Sequence, residues 1–327
     1  ANQGKYVFSA SSPATLIPLD PRPKYELAGD TLWLYCTAMQ GQLKLAMMYS
    51  PKAPEESRLQ VTLIVPPLPI PSLTNTNIVI RYFSSIDSGN RFITESNGLE
   101  IIERAYGHTG SDIEDANYYP VSRFIGIQDN THRLSVITDR PAGGTSVESG
   151  VVEVMVNRVS TGDDYLGADE PVAEPHEVHV THTIIIESLL NDRRLYRKHQ
   201  VATDVPLIIY QPSSIPSTVS PESQTSALNE YLKLHLDIKS VDRIIIRLVN
   251  IHDTQSMQIN PLAMARQLFP SARILGLESM SMDTIRTISA LNRQSYRWNP
   301  KHFDEWTGDG QTVTLRPLDI RTYRLIL

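Results

Sequence analysis

His179-Val-Thr-His-Thr-Ile-Ile-Ile186 is dense in β-branched residues and largely alternates polar with apolar side chains. In an extended chain successive side chains point to opposite faces, so this is the pattern of a half-buried strand. Leu59-Gln-Val-Thr-Leu-Ile-Val65 and Leu232-Lys-Leu-His-Leu-Asp-Ile238 repeat it. Further strand-forming runs lie at 77–86, 133–138, 150–159, 243–249, 272–278, 311–315 and 322–327. Turn residues such as Asp87-Ser-Gly-Asn90, Asp129-Asn130 and Thr307-Gly-Asp-Gly310 separate them. One helix start is clear: Asn260 as cap and Pro261 at the first helical position, ahead of a short run that Phe269-Pro270 closes. Many short strands with almost no helix predict an all-β protein, one sandwich or a pair of them. Gln211-Pro-Ser-Ser-Ile-Pro-Ser-Thr-Val-Ser-Pro221 is the expected crossover, which gives units at 1–210 and 211–327.

The 327 residues carry 30 Lys+Arg against 36 Asp+Glu, a net charge of -6. That balance argues against nucleic acid or an anionic membrane as partner, because both demand a basic surplus. No apolar run approaches the roughly 18 residues of a membrane-spanning helix. Cys36 is the single cysteine, so a disulfide framework or a multi-cysteine zinc site within the chain is excluded. Its setting among strand formers suits a small buried hydrophobe, with an interchain disulfide as the open alternative.

No self-contained catalytic apparatus is legible. His176, His179 and His182 invite a metal reading. On a strand, however, the outer two would lie about 20 Å apart at roughly 3.3 Å per residue, too far to share one ion. His252-Asp253 reads as a polar strand end. Asp163-Asp164 reads as a solvated turn, since adjacent carboxylates seldom converge across a glycosidic bond. The basic run Arg193-Arg-Leu-Tyr-Arg-Lys-His199 reads as a solvated face. Nucleophile elbow, phosphate loop and dinucleotide fingerprint are all missing.

Seven strings in fixed order resemble the C-terminal β region of class II α-mannosidases, glycoside hydrolase family 38. They are Gly4-Lys-Tyr-Val-Phe8, Phe92-Ile-Thr-Glu-Ser-Asn-Gly-Leu-Glu100, Asn117-Tyr-Tyr-Pro120, Thr138-Asp-Arg-Pro-Ala-Gly-Gly-Thr-Ser146, Gly150-Val-Val-Glu-Val-Met-Val-Asn-Arg158, Asp163-Asp164 and Leu315-Arg-Pro-Leu-Asp-Ile-Arg-Thr-Tyr323. Locally, Asn97-Gly98 suits a turn, Tyr119-Pro120 an extended segment and Gly143-Gly144 a tight bend.

The resemblance implies a large β-sandwich, the supersandwich, followed by a smaller C-terminal sandwich unit. It also implies a retaining α-mannosidase acting on terminal mannose of N-glycans. Zinc, the aspartate nucleophile and the general acid would then belong to an N-terminal catalytic chain, and this chain alone would be inactive. Tyr6 and Arg158 match the tyrosine and arginine that the β region lends to the sugar pocket. Two departures accompany them: Val159 stands where the family often has a second arginine, and Leu166 where it has another. A start at Ala1 without Met suits a proteolytic product, which with the resemblance points to a lysosome or equivalent acidic vacuole, or alternatively to secretion. A homodimer of the assembled enzyme is a further expectation. The competing reading is a non-catalytic β-sandwich that binds carbohydrate or serves a structural role, with Trp298 and Trp306 as stacking candidates.

Overall fold

The computed structural model describes residues 17–39, 41–50, 58–67, 76–96, 98–107, 114–160, 165, 167, 172, 174–191, 195–204, 231–240, 243–294 and 312–327. The chain divides into two compact units, Ala1–Leu207 and Ile208–Leu327.

The first unit builds its strands from the alternating runs: β1 (Lys24–Ala28), β2 (Thr31–Ala38), β3 (Leu43–Ser50), β4 (Arg58–Val65), β5 (Thr76–Phe83), β6 (Arg91–Ser96) and β7 (Glu100–Ala105). After these come β8 (Tyr119–Val121), β9 (Phe124–Gln128), β10 (His132–Thr138), β11 (Ala142–Thr145), β12 (Val151–Val159) and β13 (Val178–Ser188). Nine form one antiparallel sheet in the order β1-β2-β3-β4-β13-β10-β9-β6-β7, and four form a second in the order β5-β12-β11-β8. Val61, Val136, Ile125, Ile127 and Ile184 of the larger sheet pack against Val121, Val152 and Val154 of the smaller, with Ile80 and Tyr82 at the margin. The two sheets thus bury a common interior, as a sandwich requires.

Two local expectations are corrected here. Arg193 and Arg194 of the basic run lie outside the described residues, but its remainder is a docked element, not a solvated face: helix α1 (Leu195–Asp204) buries Tyr196 and Arg197 completely. Tyr196 stacks on Phe124 with ring centroids 4.5 Å apart, in a cluster with Ile93, Ile137 and Ile185. Arg197 donates to the carbonyls of Gly98 and Leu99 and, at 2.8 Å, to Gln200 Oε1. The backbone N–H of Leu195, unpaired within the helix at its first turn, donates to Glu187 Oε2 at 2.7 Å. Gly143-Gly144 likewise forms no bend but lies within β11. A Cβ on Gly144 would stand 2.8 Å from Ile125 Cδ1 and 2.9 Å from Val121 Cγ2, so close sheet packing, not turning, excludes a side chain there. Gly98, by contrast, occupies a turn with φ of +75°.

The second unit contains β14 (Leu232–Ser240), β15 (Arg243–Asn250), β16 (Met257–Ile259), α2 (Pro261–Leu268), β17 (Gly276–Met280), α3 (Ile288–Gln294), β18 (Val313–Leu315) and β19 (Ile320–Ile326). A four-stranded sheet β14-β15-β19-β17 and the β16-β18 ladder share a core of Ile246, Leu248, Leu277, Leu315 and Leu325, which α2 joins through Leu262 and Met264. The Asn260 side chain accepts from Ala263 N at 2.9 Å, the cap foreseen for α2. His252 is a buried loop organiser: its Nδ1 accepts from the backbone of Thr254 and Gln255 at 3.2 and 3.0 Å. Nδ1 is therefore an acceptor, and the ring is held in a fixed orientation.

Candidate functional site

Strand β12 decides where Arg158 points. Val152 and Val154 face the interior, so strict alternation would send Val156 and Arg158 inward after them. The pairing with β5 shifts instead: Met155 opposes Val79 and Asn157 opposes Ile78, leaving Val156 as the extra residue of a β-bulge. The bulge inverts the faces that follow. Val159 becomes fully buried with Ala38, Leu43, Val65 and Ile78, while Arg158, half-buried, joins Glu153 and Met155 on the outer face. Asn157 Oδ1 accepts from the Arg158 backbone N–H at 2.7 Å and braces the bulge. Val159, the first departure from the family pattern, fits this position because an arginine there would bury its charge among aliphatic side chains.

The same outer face holds a carboxylate that sequence reasoning did not single out. Glu153 is only 4% exposed, accepts from Arg81 Nε on the neighbouring strand, and accepts from the Tyr118 hydroxyl. The Tyr118 ring packs beside Gly143, where an added Cβ would meet it at 3.2 Å. Arg81 and Glu153 are direct cross-strand partners, so the pairing becomes visible only once the β5–β12 register is known. Chemically, this face offers guanidinium donors to hydroxyl or carboxylate oxygens. Its one buried carboxylate is already committed to two donors.

Tyr6, Asp163-Asp164, Leu166, Trp298 and Trp306 lie outside the described residues. His176 and His179 are exposed and hydrogen-bond Glu174 and Glu177 at 3.0 and 2.8 Å, whereas His182 is buried in the sandwich interior. The three therefore do not converge. Among the described residues no three His, Cys, Asp or Glu side chains are grouped to hold a metal ion. These residues do not fit a zinc site. Cys36 is buried on β2. A separate cleft of about 660 Å³ is lined by Asp87, Arg91, Glu103, Gln128, Asp129 and Thr131 among others, with Arg91 and Glu103 paired at 2.5 Å. No helix among the described residues is long and apolar enough to cross a membrane.

Comparison with known proteins adds to this geometry. Residues 39–166, which contain the bulged strand, match the sequence model described as "Glycosyl hydrolases family 38 C-terminal domain". The chain is 27% identical over 294 residues to "Lysosomal alpha-mannosidase" of Mus musculus, covering 82% of this chain and 29% of that protein. It is 37% identical over 122 residues to "Alpha-mannosidase 2" of Drosophila melanogaster, which covers 37% of this chain and 11% of that one. In fold it resembles the crystal structure of an alpha-mannosidase from Enterococcus faecalis V583, with a TM-score of 0.60 at 10% identity over 94% of this chain and 35% of the other. The chain thus spans under a third of the mouse protein's length.

Proposed function

We propose, from the premise that the chain belongs to glycosyl hydrolase family 38 through its C-terminal domain, that it is the C-terminal part of a retaining α-mannosidase cleaving terminal α-linked mannose from N-glycans. The catalytic carboxylates and zinc belong, in this reading, to an N-terminal catalytic portion. Zinc bound there supplies a Lewis acid for sugar hydroxyls. This chain contributes wall and orientation: Arg158 holds sugar hydroxyls with its fixed donors, Tyr6 adds a phenol, and the wall excludes water from the reacting carbon. The working compartment is the lysosome or an equivalent acidic vacuole, as the name of the mouse relative suggests.

The observation that carries this reading is that the family match covers β12 and the bulge that turns Arg158 outward. Native purification tests it: a larger chain or segment bearing zinc should accompany this sequence and hydrolyse an aryl α-mannoside. In that assembly Arg158→Lys, which keeps the charge but loses the planar fork, should lower kcat/KM about ten-fold or more. A zinc-containing, fully active sample of these 327 residues alone would overturn the assignment of roles.

A further inference from the structure

The cleft on the larger sheet is walled by the turn at 87–90, strands β6 and β7, and the turn at 129–131. Three polar side chains on its walls share one feature: each is fixed through one atom and leaves another available. Asp87 Oδ1 accepts from the Ser149 hydroxyl at 3.1 Å, and that oxygen accepts from Gly89 N at 3.0 Å. Asp129 Oδ1 accepts from the Thr131 N–H, the Thr131 hydroxyl and the His132 N–H at 2.6, 2.8 and 2.8 Å. Gln128 Oε1 accepts from Nε of the buried Arg133 at 2.9 Å, so its amide N–H groups are the spare donors. Arg91 and Glu103 add a paired guanidinium and carboxylate at the rim. A ligand would meet groups whose orientation is already set, which lowers the entropy it costs to bind.

The balance of donors and acceptors selects the ligand. An anion is disfavoured, because the carboxylates of Asp87, Glu103 and Asp129 face Arg91 as the one cation of the lining. The His132 and Thr131 N–H bonds hold the Asp129 carboxyl below the ordinary carboxylate range, so it stays charged in mild acid. A metal ion lacks its ligands, since no three acidic, His or Cys side chains are grouped to hold one among the described residues. A cationic ligand would leave the amides of Gln128 and Asn130 without an acceptor and would be repelled by Arg91. A sugar hydroxyl both donates and accepts. Neighbouring hydroxyls therefore match walls that offer spare carboxylate oxygens together with spare amide and guanidinium N–H groups. The volume of about 660 Å³, within the roughly 300–1,000 Å³ of ordinary ligand sites, gives room for a short oligosaccharide.

We propose that this cleft binds a neutral, mannose-rich oligosaccharide, with Asp87 and Asp129 accepting from sugar hydroxyls and Gln128 donating to them. The strands of the cleft belong to the larger sheet and Arg158 to the smaller, so this is a second sugar contact of the chain and no extension of the first. That the sugar is mannose rests on the reading that the chain serves a mannosidase; that it is a neutral polyol rests on the cleft alone.

Photoaffinity labelling of the full-length protein with a diazirine-bearing, sulfur-linked α-mannotriose, which resists hydrolysis, tests it. Peptides containing 87–91 and 128–131 should carry adducts that excess unlabelled mannotriose removes. Asp87→Asn and Gln128→Glu retain the acceptors for Ser149 and Arg133 and alter only the spare atom, so both proteins should fold. Each should cut these adducts about five-fold or more, with aryl α-mannoside turnover at the wild-type level. Added salt should leave labelling unchanged, because the ligand carries no charge. Absence of adducts from both peptides, or adducts indifferent to both substitutions, overturns the proposal. Labelling that spermine displaces and unlabelled mannotriose does not, or that salt abolishes, would give the cleft to a cation and overturn it equally. Labelling at the cleft of a full-length protein that hydrolyses no aryl α-mannoside would sink the enzymatic reading and leave the sugar site standing.

Discussion

The Tyr82 hydroxyl and Nδ1 of His182 lie 2.8 Å apart across the interior of the larger unit, one from each sheet. The rings meet edge to face with centroids 5.9 Å apart. Burial pushes the Tyr82 phenol far up, so the hydroxyl keeps its proton and can donate to an unprotonated Nδ1. This polar link joins the two sheets inside a largely apolar layer. Tyr82→Phe removes the donor and leaves a buried imidazole nitrogen without it. Urea unfolding should then show a loss of about 1–3 kcal/mol; an unchanged midpoint would mean that the bond adds nothing beyond packing.

His182 also sets an acid limit. Desolvation lowers its pKa to about 4 from an ordinary 6.5, with Asp139 opposing and Arg140 reinforcing the shift. Between those values the unfolded chain takes up a proton that the folded chain refuses. Stability contributed by neutral His182 is therefore present above pH 6.5, declines as pH falls toward 4, and levels once the folded form also protonates. By linkage the full loss is on the order of 3 kcal/mol. His182→Gln should flatten this part of the stability–pH curve. Denaturation midpoints measured at pH 7, 5.5 and 4.5 check it, and parallel curves for the two proteins would contradict it.

Period-two alternation located β4, β13 and β14, although the burial it implies is not uniform: Leu236 and Ile238 of β14 are exposed, and β13 buries Ile184 and Ile185 on opposite faces. It failed on helix α1, where Arg197 satisfies its donors on backbone carbonyls of Gly98 and Leu99 nearly a hundred residues away. A charge that is buried through distant carbonyls looks solvated in sequence. It failed equally on the face of Arg158, since a one-residue bulge leaves no local mark and shows only in the β5–β12 register. The Arg81–Glu153 pair was hidden for the same reason.

Arg197 should therefore be intolerant of change. Its guanidinium also lies 5.2 Å from the Tyr196 ring, and Arg133 covers the same ring at 4.9 Å. Arg197→Lys cannot reproduce the planar fork that reaches Gly98, Leu99 and Gln200 together. A loss of about 2–4 kcal/mol is expected, with amide exchange accelerated across α1 before the sheets open. Uniform exchange behaviour in the variant would show that α1 does not unfold as a separate element.

Gly144→Ala tests the packing reading of the paired glycines. The new methyl would meet Ile125 Cδ1 and Val121 Cγ2 inside ordinary contact distance, and the Glu153 carbonyl at 3.2 Å. Overpacking of this kind costs about 1–3 kcal/mol. Ile125→Val combined with Gly144→Ala should recover part of it by removing one clashing methyl. A bend at this position would gain nothing from that second change.

The outer-face carboxylate separates structural from binding roles on the sheet that carries Arg158. Glu153 is almost enclosed, so Glu153→Gln alone leaves the half-buried Arg81 guanidinium without its counter-charge and should destabilise the unit by about 2–4 kcal/mol. Arg81→Met in the same chain removes the orphaned charge, and the double variant should be more stable than Glu153→Gln. A double-mutant cycle by denaturant unfolding yields the coupling directly. If the pair is purely structural, aryl mannoside kinetics of the assembled double variant follow wild type wherever the protein is folded. A rise in KM at unchanged kcat would instead give Arg81 the sugar-donor role proposed for Arg158.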